Sequence, residues 1–130
     1  MGAMGAIGAI GAAALGGAIG SLARHGVNAV FAQMFARPVP YATAAVNLIG
    51  SAAIGVLAGL LASGRLSMSA NMRAFVFVGL LGGFTTFSSF MFDTLTLTHS
   101  GNDALAMSNV VGQVGLGLIA VYVGYYLVTS

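Results

Sequence analysis

Four long stretches of this chain carry no charge. Met1 to Ala23, Pro38 to Gly64, Ala74 to Phe92 and Ala104 to Ser130 contain no Asp, Glu, Lys or Arg. A helix needs about 20 mostly apolar residues to cross roughly 30 Å of hydrocarbon, and each stretch meets that length. Charged residues make up 5% of the chain, against roughly a quarter in soluble domains. Six such groups cannot cover a water-facing surface, which excludes a soluble globular fold.

The expected fold is therefore all-α and membrane-integral, a single four-helix domain over residues 1–130. Its spans are expected at about 4–33, 40–63, 72–98 and 104–128. The joints carry turn chemistry. Ala36-Arg37-Pro38-Val39-Pro40 holds both prolines, and Ser63-Gly64-Arg65-Leu66-Ser67 and His99-Ser100-Gly101-Asn102-Asp103 are polar breaks with glycine. The apolar N-terminus lacks the positive leader of a cleaved signal, its first Arg being Arg24. The absence of cysteine removes thiolate chemistry and Cys-based metal sites. A net charge of +2 with no basic run gives no footprint for nucleic acid.

The arginines give an unusual topology. With four spans, Arg65 and Arg73 fall on one side, and Arg37, with Arg24 near that end of the first span, on the other. Two against two leaves the positive-inside bias little to act on. Such a chain can insert either way round, which points to an antiparallel, dual-topology homodimer with a two-fold axis in the membrane plane.

Polar groups inside hydrocarbon are costly and are functional candidates. In the second span, Thr43, Asn47 and Ser51 recur at i+4 ahead of Gly55 and Gly59, giving one narrow polar stripe. Asn109, Gln113 and Gly117 repeat the pattern in the fourth. Interhelical hydrogen bonding is the ordinary role for such groups, and it suffices for the hydroxyls more readily than for the amides of Asn47 and Gln113. In the first span, Gly16, Gly20 and Arg24 share a face, and the simplest role of these glycines is close helix packing.

The third span contains Gly82-Gly83-Phe84-Thr85-Thr86-Phe87-Ser88-Ser89-Phe90. Paired glycines followed by paired β-branched threonines are poor helix formers. Irregular backbone at mid-membrane depth persists only where it is buried in protein or lines a polar site, so a helix break is expected here. Phe87 and Phe90 follow, three residues apart, with Asp93 three further on. Hydroxyls, amides, freed N–H groups and aromatic edges are neutral donors of partial positive charge. Together they can replace the water shell of a small anion while still letting it leave.

Gly-Gly-Phe-Thr-Thr-Phe-Ser-Ser-Phe at 82–90 closely resembles the central signature of the Fluc (CrcB) family of small fluoride channels. Val46-Asn47-Leu48-Ile49-Gly50-Ser51 and Gly16-Gly17-Ala18-Ile19-Gly20-Ser21-Leu22-Ala23-Arg24 resemble that family's second- and first-helix motifs. The resemblance implies a passive fluoride channel in the cell's inner (plasma) membrane, built as a dual-topology dimer with two pores. It also implies a structural sodium ion at the dimer centre, held by the backbone carbonyls of Gly82 and Thr85. Phe87 and Phe90 would turn ring edges to fluoride, Asn47 would be the essential amide donor, and Thr43 would lie on the polar track beside it. Arg24 would stand toward the aqueous vestibule. Asn109 and Gln113 align where other members carry Tyr and Ser, which places amides on the fourth-helix side of the pathway. Asp93 falls where some members have Glu, and Met91 where Ser is frequent.

No catalytic constellation is present. His25 and His99 flank the spans without partners, and the serines lie in no nucleophile motif. Two other functions compete with the channel. A small dual-topology multidrug antiporter would need a membrane-embedded Glu, and the chain has none, Asp93 being the only carboxylate near a span interior. A non-transporting assembly subunit would account for the glycines but not for Asn47, Phe87 and Phe90 gathered at a broken helix.

Overall fold

The computed structural model describes residues 2–36 and 40–130. Arg37, Pro38 and Val39 of the first joint lie outside the described residues, as does Met1.

Helix α1 runs Ala3–Met34 and α2 runs Tyr41–Ala62. The third apolar stretch begins as α3 (Ala70–Arg73), continues as a π-helical stretch over Ala74–Leu81, and returns to α geometry in α4 (Gly82–Phe84). Thr85 and Thr86 are extended, and the chain resumes as α5 (Phe87–His99). Helix α6 spans Asp103–Thr129. Four helical units are long and apolar enough to cross a membrane: Ala3–Met34, Tyr41–Ala62, Ala70–His99 and Asp103–Thr129. Even the shortest, at 22 residues, reaches roughly 33 Å at about 1.5 Å per residue. The spans expected from sequence differ from these by one or two residues at each end. That is the usual latitude of a helix boundary.

The ends follow local chemistry. Gly64 (φ +72°) and Gly101 (φ +80°) take the left-handed conformation that ends α2 and α5. Beyond them, the Leu66 N–H bonds to the Leu60 carbonyl at 3.1 Å and the Asn102 N–H to the Leu97 carbonyl at 2.9 Å. Ser69 Oγ caps α3 by accepting the Met72 N–H.

The helices pack as two close pairs, α2 on α6 and α1 on the π-helical stretch and α4, with α5 leaning on α6. Small residues set both approaches. A Cβ at Gly16 would fall on the Phe75 carbonyl, and one at Gly20 on the Leu80 carbonyl. A Cβ at Gly55 would meet the Val121 carbonyl, and one at Gly124 would lie 2.7 Å from that of Ala52. Close backbone approach of this kind drives association where lipid is as apolar as the side chains. Val46 is the fully buried side chain at the centre, while Ile7, Leu22, Ile49 and Leu127 are exposed. An outer surface of that composition suits lipid rather than water.

Candidate functional site

The site is built on the two extended residues between α4 and α5. A continuous helix would pass the Thr86 N–H to the Gly82 carbonyl. Here it goes to Asn47 Oδ1 at 2.8 Å, while Asn47 Nδ2 donates to the Thr86 carbonyl at 3.0 Å. One amide side chain on α2 therefore pairs with both backbone groups of Thr86, as a neighbouring strand would. Backbone groups left out of a helix in hydrocarbon must find such partners. Gly50, one turn nearer the end of α2, leaves room for this approach, because a Cβ there would collide with Thr85 Cγ2.

Both flanking half-helices are closed locally. The Thr85 N–H and Oγ1 both donate to the Leu81 carbonyl at 2.9 Å, finishing α4. Thr86 Oγ1 accepts the Ser89 N–H at 3.1 Å, starting α5. A continuous helix would have sent the Ser89 N–H to the Thr85 carbonyl. The carbonyls of Gly82 and Thr85 are thus released from their ordinary helical partners, and hard oxygen donors of this kind suit a hard cation. Among the described residues, no three His, Cys, Asp or Glu side chains are grouped to hold a metal.

From Asn47 a chain of neutral polar groups crosses to α6 and returns to α5. Asn47 Nδ2 donates to Gln113 Oε1 at 2.8 Å, and Gln113 Nε2 donates to Asn109 Oδ1 at 2.8 Å. Asn109 Nδ2 donates to Thr94 Oγ1 at 3.0 Å, and Thr94 Oγ1 donates to the Phe90 carbonyl at 2.9 Å. The chain leaves α5 at its N-cap and rejoins it two turns later, so it brackets Phe87 and Phe90. These two rings meet edge to face, centroids 5.8 Å apart at 82°. Phe90 is 4% exposed and Phe87 73%, so the pair reaches from the packed interior to the surface of the subunit.

Among the candidates read from sequence, Asn47, Gln113 and Asn109 are joined directly, with Phe87 and Phe90 alongside. Thr43 is buried one turn before Asn47 on the same face of α2. Gly82, Thr85 and Asn47 line one groove of about 420 Å³ together with Ser51 and Phe87. Arg24, expected toward a vestibule, donates Nε–H to the Gly83 carbonyl at 3.0 Å and is half-buried. Two members of the site were not singled out from sequence. Thr86 contributes both backbone groups and a cap, and Thr94 ends the chain. No local signal marks Thr94, since Thr96 and Thr98 back-bond to the carbonyl four residues earlier in the same way.

Comparison with known proteins places the chain in a family. Residues 11–125 match the family described as CrcB-like protein, Camphor Resistance (CrcB). Over 113 residues the chain is 46% identical to the fluoride-specific ion channel FluC of Opitutus terrae, covering 86% of each chain. It is 45% identical over 117 residues to FluC of Paramagnetospirillum magneticum, covering 89% of this chain and 91% of the relative. It is also 43% identical over 113 residues to FluC of Parabacteroides distasonis, covering 87% of each. With a match across nearly its whole length, the chain belongs to the CrcB family.

Proposed function

We propose that this chain forms a passive, fluoride-selective channel that lets cytoplasmic fluoride leave the cell down its gradient. The observation that carries the proposal is the uncharged chain from Thr86 to Thr94 beside the Phe87–Phe90 pair. Its amides and hydroxyl, with the positive ring edges, offer a small anion replacement for its hydration shell. No fixed positive charge belongs to it, so an ion can be bound weakly enough to move on. Relatives named as fluoride-specific ion channels support the choice of fluoride. The only carboxylate near a span interior, Asp93, is no member of the chain, so a proton-coupled antiporter finds no support in it.

The working unit under this proposal is an antiparallel homodimer in the plasma membrane, consistent with the even distribution of arginines. In it, the Thr85–Thr86 interruption acts as a functional helix break. The released carbonyls of Gly82 and Thr85, two from each subunit, form a neutral oxygen set that fits a structural sodium ion. When bound, that ion supplies a fixed positive centre tying the broken helices together. This chain's own residues hold the break open. Asn47 pairs with Thr86, Thr85 closes α4, and Thr86 Oγ1 starts α5.

The test is fluoride efflux from liposomes holding the purified protein, followed with a fluoride electrode, with chloride-loaded vesicles as control. Rapid fluoride loss that requires a charge-balancing ionophore, with chloride retained, is expected. Replacing sodium by a bulky organic cation on both sides is expected to stop it. Vesicles that contain folded dimer and keep their fluoride would overturn the channel reading.

A further inference from the structure

We infer that Gln113 is the moving part of the pathway: its hydrogen bond to Asn47 is the closed position of a side-chain gate, and an anion passes when Gln113 Oε1 leaves Asn47 Nδ2. This rests on the channel reading above and adds to it a residue that controls passage.

The inference starts from the donors of Asn47. Its amide has two N–H groups. One goes to the Thr86 carbonyl at 3.0 Å and the other to Gln113 Oε1 at 2.8 Å. Its Oδ1 is held by the Thr86 N–H at 2.8 Å. An anion arriving at Asn47 in this arrangement meets no uncommitted donor, and beside it stands the partial negative charge of Gln113 Oε1. Two of the three partners are backbone groups of one residue and cannot yield without moving α5. The third is a side chain with three rotatable bonds, and it is the one that can be displaced.

The position of the bond adds a second argument. Asn47 lines the groove of about 420 Å³ shared with Thr86 and Phe87. Gln113 and Asn109 line a separate groove of about 170 Å³ between α2 and α6, with Tyr41 and Ser108. The Asn47–Gln113 bond thus ties a lining residue of one groove to a lining residue of the other.

The polarity of the chain says how they part. The Thr86 N–H can only donate. At the far end Thr94 Oγ1 gives its proton to the Phe90 carbonyl and therefore accepts from Asn109. These two ends orient every amide between them, and they oblige Gln113 to turn its oxygen toward Asn47. Rotation of the Gln113 amide about its last side-chain bond exchanges Oε1 for Nε2. That places an N–H where the acceptor stood and releases the Asn47 N–H at the same moment. An anion can then accept from the freed Asn47 N–H. The rotation costs the Gln113–Asn109 bond, which returns the side chain once the ion has passed.

The experiment compares fluoride efflux from liposomes holding wild type and Gln113→Ser, whose short hydroxyl cannot span to Asn47. Removing one net hydrogen bond from the closed state predicts efflux roughly three- to tenfold faster than wild type; efflux equal to or slower than wild type overturns the gate. A wild-type vesicle that releases no fluoride removes the channel reading, and the gate with it. A conducting wild type with an unaccelerated variant removes the gate alone. A second measurement does not depend on the variant's folding. Gln33 and Gln113 are the only glutamines, so 15N-glutamine labelling of a Gln33→Asn protein leaves one side-chain amide signal. That signal is expected to shift on titration with sodium fluoride and to hold still with sodium chloride. No fluoride-dependent shift, or the same shift with both salts, overturns the proposal.

Discussion

Arg24 on α1 donates its Nε–H to the carbonyl oxygen of Gly83, 59 residues away in sequence, at 3.0 Å. The bond closes a line that begins at Gly16 and continues through Gly20. These glycines bring α1 onto the carbonyls of Phe75 and Leu80, and the third member of the same i+4 series caps the end of the first half-helix. A guanidinium there meets the negative end of the helix that stops at Phe84. Because Arg24 is half-buried, Arg24→Ala is expected to lower stability by about 1 kcal/mol, read as a lower melting temperature. Fluoride efflux is expected to fall at low ionic strength, with the deficit narrowing in high salt. Arg24→Lys should restore efflux more fully than stability, since it keeps the charge and loses the planar donor.

Asn47→Ala removes the partner of both backbone groups of Thr86 and the link to Gln113. Fluoride efflux is expected to fall by two orders of magnitude or more, on the order of losing a preorganised donor set, while the purified protein still elutes as a single species. A variant with undiminished efflux would take Asn47 out of the pathway.

The aromatic pair separates chemistry from packing because its members differ in burial. Phe87→Ile and Phe90→Ile are both expected to reduce efflux sharply, since an aliphatic chain has no positive edge to turn to an anion. Only Phe90→Ile should also cost stability, about 1–2 kcal/mol from a core position, because Phe87 is largely exposed within the subunit. Efflux and thermal unfolding measured on the same samples check both parts. Wild-type conduction in both variants would disprove the ring-edge account.

The glycine contacts predict a contrast within one residue type. Gly20→Ala drives a methyl group into the Leu80 carbonyl on the π-helical stretch, and the rigid backbone on both sides leaves little room to relax. A loss of about 2–3 kcal/mol is expected. Gly112→Ala on α6 meets nothing within 4 Å and should be neutral or stabilising by up to about 1 kcal/mol. Melting temperatures of the two variants provide the comparison.

Much of this protein is legible along the chain because its strongest constraints are local. A charge-free run of some 20 residues reads directly as a span, and Gly64 and Gly101 mark the turns where a left-handed residue was needed. The i+4 series Thr43–Asn47–Ser51 and Asn109–Gln113 identify two polar faces, since helical periodicity alone brings such residues into line. The Gly82-Gly83 and Thr85-Thr86 pairs mark a segment with little helix propensity.

What tertiary structure decided is which partner each face meets. No local rule pairs Asn47 with Thr86 rather than with a neighbouring residue, or points Arg24 at Gly83. The π-helical geometry of Ala74–Leu81 and the place of Thr94 at the end of the amide chain were equally out of reach. Periodicity says which side chains share a face, but the rotation and height of one helix against another are set by non-local backbone approaches. Those approaches are Gly55 against Val121, Gly124 against Ala52, and Gly16 and Gly20 against the π-helical carbonyls. Once those contacts fix the helices, two separate polar stripes become one hydrogen-bonded chain, and the extended residues fall where Asn47 can hold them.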